Sequence, residues 1–133
     1  MADQQAGALT HSTRVGVLLV AHGSRRAGWT DAPSATLAAV QAAMPQCMCA
    51  LAYLAFCSPT PVEAIAELVA DGIDQLHVVP LFVARGGHVE DDIPQLIEQA
   101  RADWPTLHVR LLPAIGELPE VQIAVARALE ASF

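Results

Sequence analysis

A chain of 133 residues has the length of one domain, and at that size it buries about two-thirds of the surface its unfolded form exposes. Hydrophobic residues make up 53% and charged residues 16%, which excludes intrinsic disorder and a coiled coil. The longest unbroken apolar run, Cys47 to Cys57, has 11 residues against the about 20 that cross a bilayer. Seven basic and 14 acidic residues leave a net charge of −7, which argues against a general nucleic-acid binder, because nonspecific affinity comes from neutralising phosphates.

Residues 1–14 are small and polar, with no apolar stretch of the kind a targeting sequence carries, and are expected to form a flexible tail ahead of one domain over residues 15–133. Val15 to Ala21 is a short β-rich apolar run that stops at His22-Gly23-Ser24-Arg25-Arg26, which reads as a fully buried strand followed by a loop. Asp31 to Met44 is Ala-rich, with Leu37, Val40 and Met44 at helical spacing, Pro33 in the first turn and Pro45 as the stop. Cys47 to Ala55 reads as a second buried strand. Its cysteines, with Cys57, make an odd count without C-x-x-C spacing and are expected to be buried structural thiols in a reducing cytoplasm.

Thr60-Pro61-Val62-Glu63 carries a full helix-start signal: Thr60 to cap, Pro61 for the first helical position, Glu63 to close the capping box. That helix is expected to reach about Asp71, where Gly72 supplies the left-handed residue that ends it. Leu76 to Val83 reads as a third strand, with Pro80 marking a strand end or a bulge because proline has no ladder donor. Ala84 to His88 reads as a loop. A helix follows from Asp91 or Asp92 to about Asp103, with Pro94 in its first turn and the run Glu90-Asp91-Asp92 complementing its dipole. Leu107 to Leu112 is a fourth strand, and Pro119 to Ala131 a last helix.

Four strand-then-helix units in succession predict an α/β domain: a doubly wound, parallel four-stranded sheet with helices on both faces. In such sheets ligands bind beyond the carboxyl ends of the strands. The first strand runs into A-H-G and the third into A-R-G-G-H, so His22 and His88 both stand there, beside Gly23, Gly86 and Gly87, which let backbone approach a ligand. Neutral imidazole ligates Co, Ni, Fe and Zn, and two histidines from two loops can hold one metal with positions left open. The other histidines, His11 in the tail and His77 and His108 within strands, are expected to be structural or solvated. G-x-G-x-x-G and G-x-x-x-x-G-K-[ST] do not occur, and G-x-S-x-G is missing around Ser24, which sets aside phosphate-loop and serine-hydrolase readings.

Val17 to Arg25 (VLLVAHGSR) and Pro80 to Pro94 (PLFVARGGHVEDDIP) resemble the two signatures of the sirohydrochlorin cobaltochelatases, and the length resembles their short form. The similarity runs from about Val15 to the C-terminus. The resemblance implies the chelatase fold and the insertion of a divalent metal substrate (Co2+, with Ni2+ or Fe2+ as alternatives) into sirohydrochlorin on the way to cobalamin or sirohaem, with no organic cofactor. It implies that His22 and His88 bind the metal and carry the catalysis. Gly23, Ser24, Arg25, Arg26, Arg85, Gly86 and Gly87 are then the expected contacts with the tetrapyrrole, the arginines through charge-assisted bonds to its carboxylates. It further implies a homodimer; the cysteine count, the net charge and the short apolar runs add the expectation of a cytoplasmic protein that engages neither nucleic acid nor membrane.

One position departs from the family pattern. Where the family's second strand ends in a segment like F-L-E-L-x-x-P, this chain has Tyr53-Leu54-Ala55-Phe56-Cys57-Ser58-Pro59, with Ala55 in the glutamate's place and Cys57 two residues on. That departure keeps a second reading open: a non-catalytic metal- or tetrapyrrole-binding protein with a degenerate chelatase site.

Overall fold

The computed structural model describes residues 13–84 and 86–133, and for 88–90 it describes the backbone alone. The expected tail over residues 1–12, with His11, and Arg85 therefore lie outside the described residues. The strands are β1 (Val15–Ala21), β2 (Met48–Tyr53), β3 (Gln75–Pro80) and β4 (His108–Leu111). The helices are α1 (Asp31–Ala43), α2 (Pro61–Ala70), α3 (His88–Asp103) and α4 (Pro119–Ser132), and a 3-10 turn spans Ile115–Glu117.

All strands are parallel and lie in the order β2-β1-β3-β4, with Ala21 opposite Tyr53, Val20 opposite Pro80 and Val78 opposite Leu111. A strand with a neighbour on each edge and a layer on each face has to be apolar throughout, and β1 is buried from Gly16 to Ala21. Parallel pairing also brings every strand's carboxyl end to one edge of the sheet. The loops 22–30, 54–60 and 112–118, with residues 81–84 and 86–87, gather at that edge.

One face is well covered. Leu18, Val20, Leu76 and Val78 of the sheet pack against Ile65 and Leu68 of α2 and Ile93, Ile97 and Ala100 of α3. The start of α2 is the expected capping box: Glu63 N–H donates to Thr60 Oγ1 at 3.3 Å, and Thr60 N–H donates to Glu63 Oε1 at 3.0 Å. The Thr60 backbone N–H, and then its hydroxyl, hold the Glu63 carboxyl below the usual carboxylate range. Gly72 ends the unit at φ +99. The chain is anchored from Arg14, the last residue grouped with the tail, whose N–H donates to Asp74 Oδ1 at 2.9 Å.

The other face is covered in part. Leu37 and Val40 of α1 and its C-cap Met44 lie over Val17, Leu19 and Leu51, yet no residue of α1 is buried. The β3–β4 half of this face has no helix over it. The last helix forms within one residue of its expected end, but it does not return to the sheet: α4 packs on the 3-10 turn, and every residue from Gln122 to Phe133 is exposed. The expectation of helices on both faces is met by α1 against α2 and α3, and α4 stands apart from it.

Four details differ from the sequence reading. α3 begins at His88 rather than at Asp91 or Asp92, with Gly87 as its N-cap at φ +54. His88 is thus the first helical residue instead of a loop residue, and Pro94 lies inside the helix, where it forgoes a single backbone bond to residue 90. β3 stops at Pro80, so the strand-end alternative holds and Val83 lies outside the strand. From Phe82 the chain turns toward the 3-10 segment, whose Gly116 N–H donates to Phe82 O at 3.0 Å. β2 is an edge strand, so its first three residues are half-buried, and Cys47, Cys49 and Cys57 are half-buried free thiols rather than buried ones. Burial, and after it the neighbouring Cys47, push the Cys49 thiol up.

Candidate functional site

His22 is the first residue beyond β1, and its ring is exposed with Nδ1 at 3.1 Å from Gly23 O. A carbonyl oxygen only accepts, so this bond places the proton on Nδ1 and leaves the Nε2 lone pair for a cation. Gly23 adopts φ +91, and a Cβ there would run into the carbonyl oxygen of Ala55. Only glycine lets the two loops come this close. The approach is stitched by Leu54 N–H donating to Ala21 O at 3.0 Å and Ala55 N–H donating to His22 O at 2.9 Å. A clasp between the β1 and β2 loops thus fixes the backbone that carries the imidazole.

The β2 loop holds a second unusual feature. Cys57 N–H donates to Ala55 O at 2.8 Å and closes a three-residue turn with Phe56 at its apex, at φ +68. Such turns are rare and strained, and a side-chain-bearing residue stays in one only where its surroundings impose it. Here the Cys57 thiol donates to Ser24 O at 3.2 Å, and the Arg25 guanidinium lies 4.7 Å from the centroid of the Phe56 ring. Phe56 is nonetheless 58% exposed and Trp29, on the His22 loop, 63% exposed, so two aromatic rings stand open at the strand-end edge.

The remaining expected site residues sort as follows. Ser24 Oγ accepts from Arg26 N–H at 3.1 Å, so the hydroxyl shapes its own loop, while Arg25 and Arg26 are exposed. Gly86 has open space around it, Gly87 caps α3, and Arg85 lies outside the described residues. His88 opens α3 at the end of the loop that leaves β3, and β3 pairs directly with β1. The two histidines are therefore borne by neighbouring segments of one edge. Ala55 donates its N–H to His22 O in the clasp, and its C=O accepts from Cys57 N–H in the adjoining turn, so it lies one hydrogen bond from His22. His77 is half-buried within β3 and His108 exposed at the start of β4, both toward the amino ends of their strands. Among the described residues no three of His, Cys, Asp and Glu converge on one point.

Phe56 is a candidate that sequence reasoning passed over. Its neighbours Ala55 and Cys57 carry the comparison with a motif, whereas Phe56 is singled out by its backbone angle and exposure, and neither is written in residue order.

Comparison with known proteins adds three findings. A family model described as CbiX matches residues 16–132. Proteins named sirohydrochlorin cobaltochelatase are similar in sequence. The one from Methanococcoides burtonii is 29% identical over 65% of this chain and 66% of its own length, and the one from Saccharolobus solfataricus 39% identical over 62% of this chain and 63% of its own. The chain thus matches just under two-thirds of the length of these relatives. Among solved structures, a cobalamin (vitamin B12) biosynthesis CbiX protein from Marinobacter aquaeolei VT8 superposes with a TM-score of 0.81 at 27% identity, covering 90% of this chain and 95% of that one. The sirohydrochlorin chelatase SirB from Bacillus subtilis subspecies spizizenii, in complex with cobalt, gives a TM-score of 0.78 at 26% identity, covering 90% of this chain and 51% of that one.

Proposed function

The chain belongs to the CbiX family, and from that premise we propose that it inserts a divalent metal into sirohydrochlorin, with Co2+ as the first candidate and Ni2+ or Fe2+ as alternatives. The relatives' names and the cobalt-bound SirB structure support this reading, and the observation that carries it is His22, exposed at the strand-end edge with Nδ1 tied to Gly23 O and Nε2 free. The metal is a substrate. It has to shed water, meet the macrocycle and displace two pyrrole N–H protons. In our reading the imidazoles of His22 and His88 take the cation, hold it loosely enough to release it, and accept the protons that leave.

The macrocycle rests on the same edge. Arg25 and Arg26, with Arg85, meet its carboxylates through charge-assisted bonds, offsetting locally the net charge of −7. Phe56, with Arg25 against its ring, offers a flat apolar surface to a flat ligand. Gly23, Ser24, Gly86 and Gly87 bring backbone close. Holding metal and pyrrole nitrogens together supplies much of the rate. The working unit is a pair of identical chains in the cytoplasm. Among the described residues no helix is long and apolar enough to cross a membrane.

The test is direct. Purified protein is mixed with sirohydrochlorin and each metal in turn, and the macrocycle's absorbance is followed. The expected result is insertion of cobalt well above the protein-free rate. Cobalt binding without such acceleration refutes the enzyme and favours the second reading, a degenerate binder, for which Ala55 is the specific observation.

A further inference from the structure

We propose that Met44, Cys47 and Cys49 form a site for a soft monovalent cation of the Cu+ class, at the amino end of β2 and apart from the His22 edge. Its ligands are the two cysteines as thiolates and the Met44 thioether.

Sulfur is concentrated in this stretch. The chain has 3 Met and 3 Cys, and four of these residues, Met44, Cys47, Met48 and Cys49, fall in the short run that joins α1 to β2. Side chains alternate along extended backbone, so Cys47 and Cys49 share one face and Met48 takes the other. The packing agrees. Met48 lies against the core under α2 and α3, whereas Met44, Cys47 and Cys49 lie against the core under α1.

The end of α1 is tied to both cysteines. Gln41 Nε2 donates to Cys49 O at 3.5 Å, and Cys47 N–H donates to Met44 O at 3.0 Å. Residues three apart share a helix face, which puts Met44 on the side of α1 from which Gln41 reaches β2. The thiols themselves are adjacent. Cys49 Sγ donates weakly to Cys47 O at 3.9 Å, and burial, followed by the Cys47 thiol, pushes the Cys49 thiol up. Both cysteines are free and half-buried, Pro45 and Gln46 beside them are exposed, and β2 is an edge strand. A small ion can therefore reach the sulfur atoms from solvent.

The donor set decides the cation. Thiolate and thioether are soft ligands and favour Cu+ over hard cations. Structural Zn2+ takes a full tetrahedron of four ligands, and among the described residues no three of His, Cys, Asp and Glu converge. Cu+ accepts a lower coordination number, which two thiolates and one thioether meet. On binding, each thiol gives its proton to solvent and its sulfur forms a bond to the metal, and the thioether adds a lone pair. Copper stays Cu+ throughout, so no electron is exchanged.

The site is separate from the proposed cobalt ligands. Cys49 lies opposite Val17, and β1 runs on from there to Ala21 before His22 follows, about 16 Å at the usual strand rise. Copper held by sulfur thus leaves the imidazole of His22 untouched, and the inference stands or falls independently of metal insertion.

The experiment is an anaerobic titration of the reduced full chain into the coloured Cu+–bicinchoninate complex, in which loss of colour reports Cu+ withdrawn by the protein. The wild type is expected to withdraw Cu+. Cys47→Ser and Cys49→Ser should each weaken its affinity by roughly a hundredfold, and Met44→Leu by about tenfold. Cys57→Ser and His22→Ala should retain the wild-type affinity, and excess Zn2+ should not displace the Cu+. Far-UV circular dichroism checks folding, and Cys47→Ala and Cys49→Ala repeat the arm should a serine variant fail to fold. A wild type that leaves the colour unchanged overturns the site, as does affinity that survives the loss of both Cys47 and Cys49. An equal loss in Cys57→Ser shows capture by any thiol and overturns it too. Full affinity in Met44→Leu overturns the three-sulfur set, and displacement by Zn2+ overturns the choice of cation.

Discussion

Replacing Gly23 by alanine tests whether the loop clasp positions the proposed metal ligand. The residue sits at φ +91, and the new methyl would be driven into the Ala55 carbonyl oxygen. The left-handed backbone alone costs an L residue about 1–2 kcal/mol. Moving the loops apart to admit the methyl breaks the 2.9 Å bond from Ala55 N–H to His22 O, worth about 1 kcal/mol more. A loss of about 3 kcal/mol lowers the melting temperature of a domain this size by about 10 °C. Gly86→Ala is the control: nothing lies within 4 Å of its Cβ position, so its melting temperature should stay within about 3 °C of the wild type. The assay pairs a thermal melt with cobalt calorimetry at a temperature where both variants are folded. Gly23→Ala should weaken cobalt binding at least tenfold and Gly86→Ala should not. A Gly23→Ala variant that melts with the wild type refutes the steric argument. One that melts early yet binds cobalt normally refutes the link between the clasp and His22.

His22→Ala and His88→Ala should each abolish tight cobalt binding by calorimetry while His77→Ala and His108→Ala leave it intact, and acid should weaken it in the wild type because a proton competes for the ligating nitrogen; equal losses at all four positions would sink the assignment. Ala55→Glu places a carboxylate one backbone bond from His22 and should raise the insertion rate about tenfold, which is about 1.4 kcal/mol of barrier; a folded, cobalt-binding variant with no gain shows that position 55 is not the missing acid–base group. Phe56→Ala should weaken sirohydrochlorin affinity without salt dependence, whereas the loss in Arg25→Ala with Arg26→Ala should shrink as salt is raised, and fluorescence titration at two ionic strengths separates them. For Glu63→Ala, the wild type's stability advantage should be full at neutral pH and vanish as pH falls through the lowered Glu63 value, because the unfolded chain takes up that proton first; an advantage that persists in acid contradicts the capping role.

The parts of the fold that depend on near neighbours were legible in residue order. Apolar runs of six or seven residues gave β1 and β3, Thr60-Pro61-Val62-Glu63 gave the start of α2 to the residue, and strand–helix alternation gave the parallel sheet. From that alternation, the placement of His22 and His88 at one edge of the sheet followed without knowledge of any side-chain contact. Boundaries set by competition between elements were not legible. The Gly87 cap opened α3 at His88, ahead of the start that Pro94 suggested, and the edge position of β2 left its cysteines half-buried, because both outcomes depend on what lies across space.

The tertiary structure alone decided two matters that bear on function. The strained turn at Phe56 exists because the Cys57 thiol and the Arg25 guanidinium, separated from Ser24 and Phe56 by about thirty residues of chain, meet across two loops. The seat of α4 was likewise beyond the sequence. Val121, Val125 and Leu129 recur at helical spacing, but that pattern does not say where the helix goes, and its direction is set by the packed 3-10 turn before it. Local pattern fixes what an element is, and only the closed set of contacts fixes where it goes.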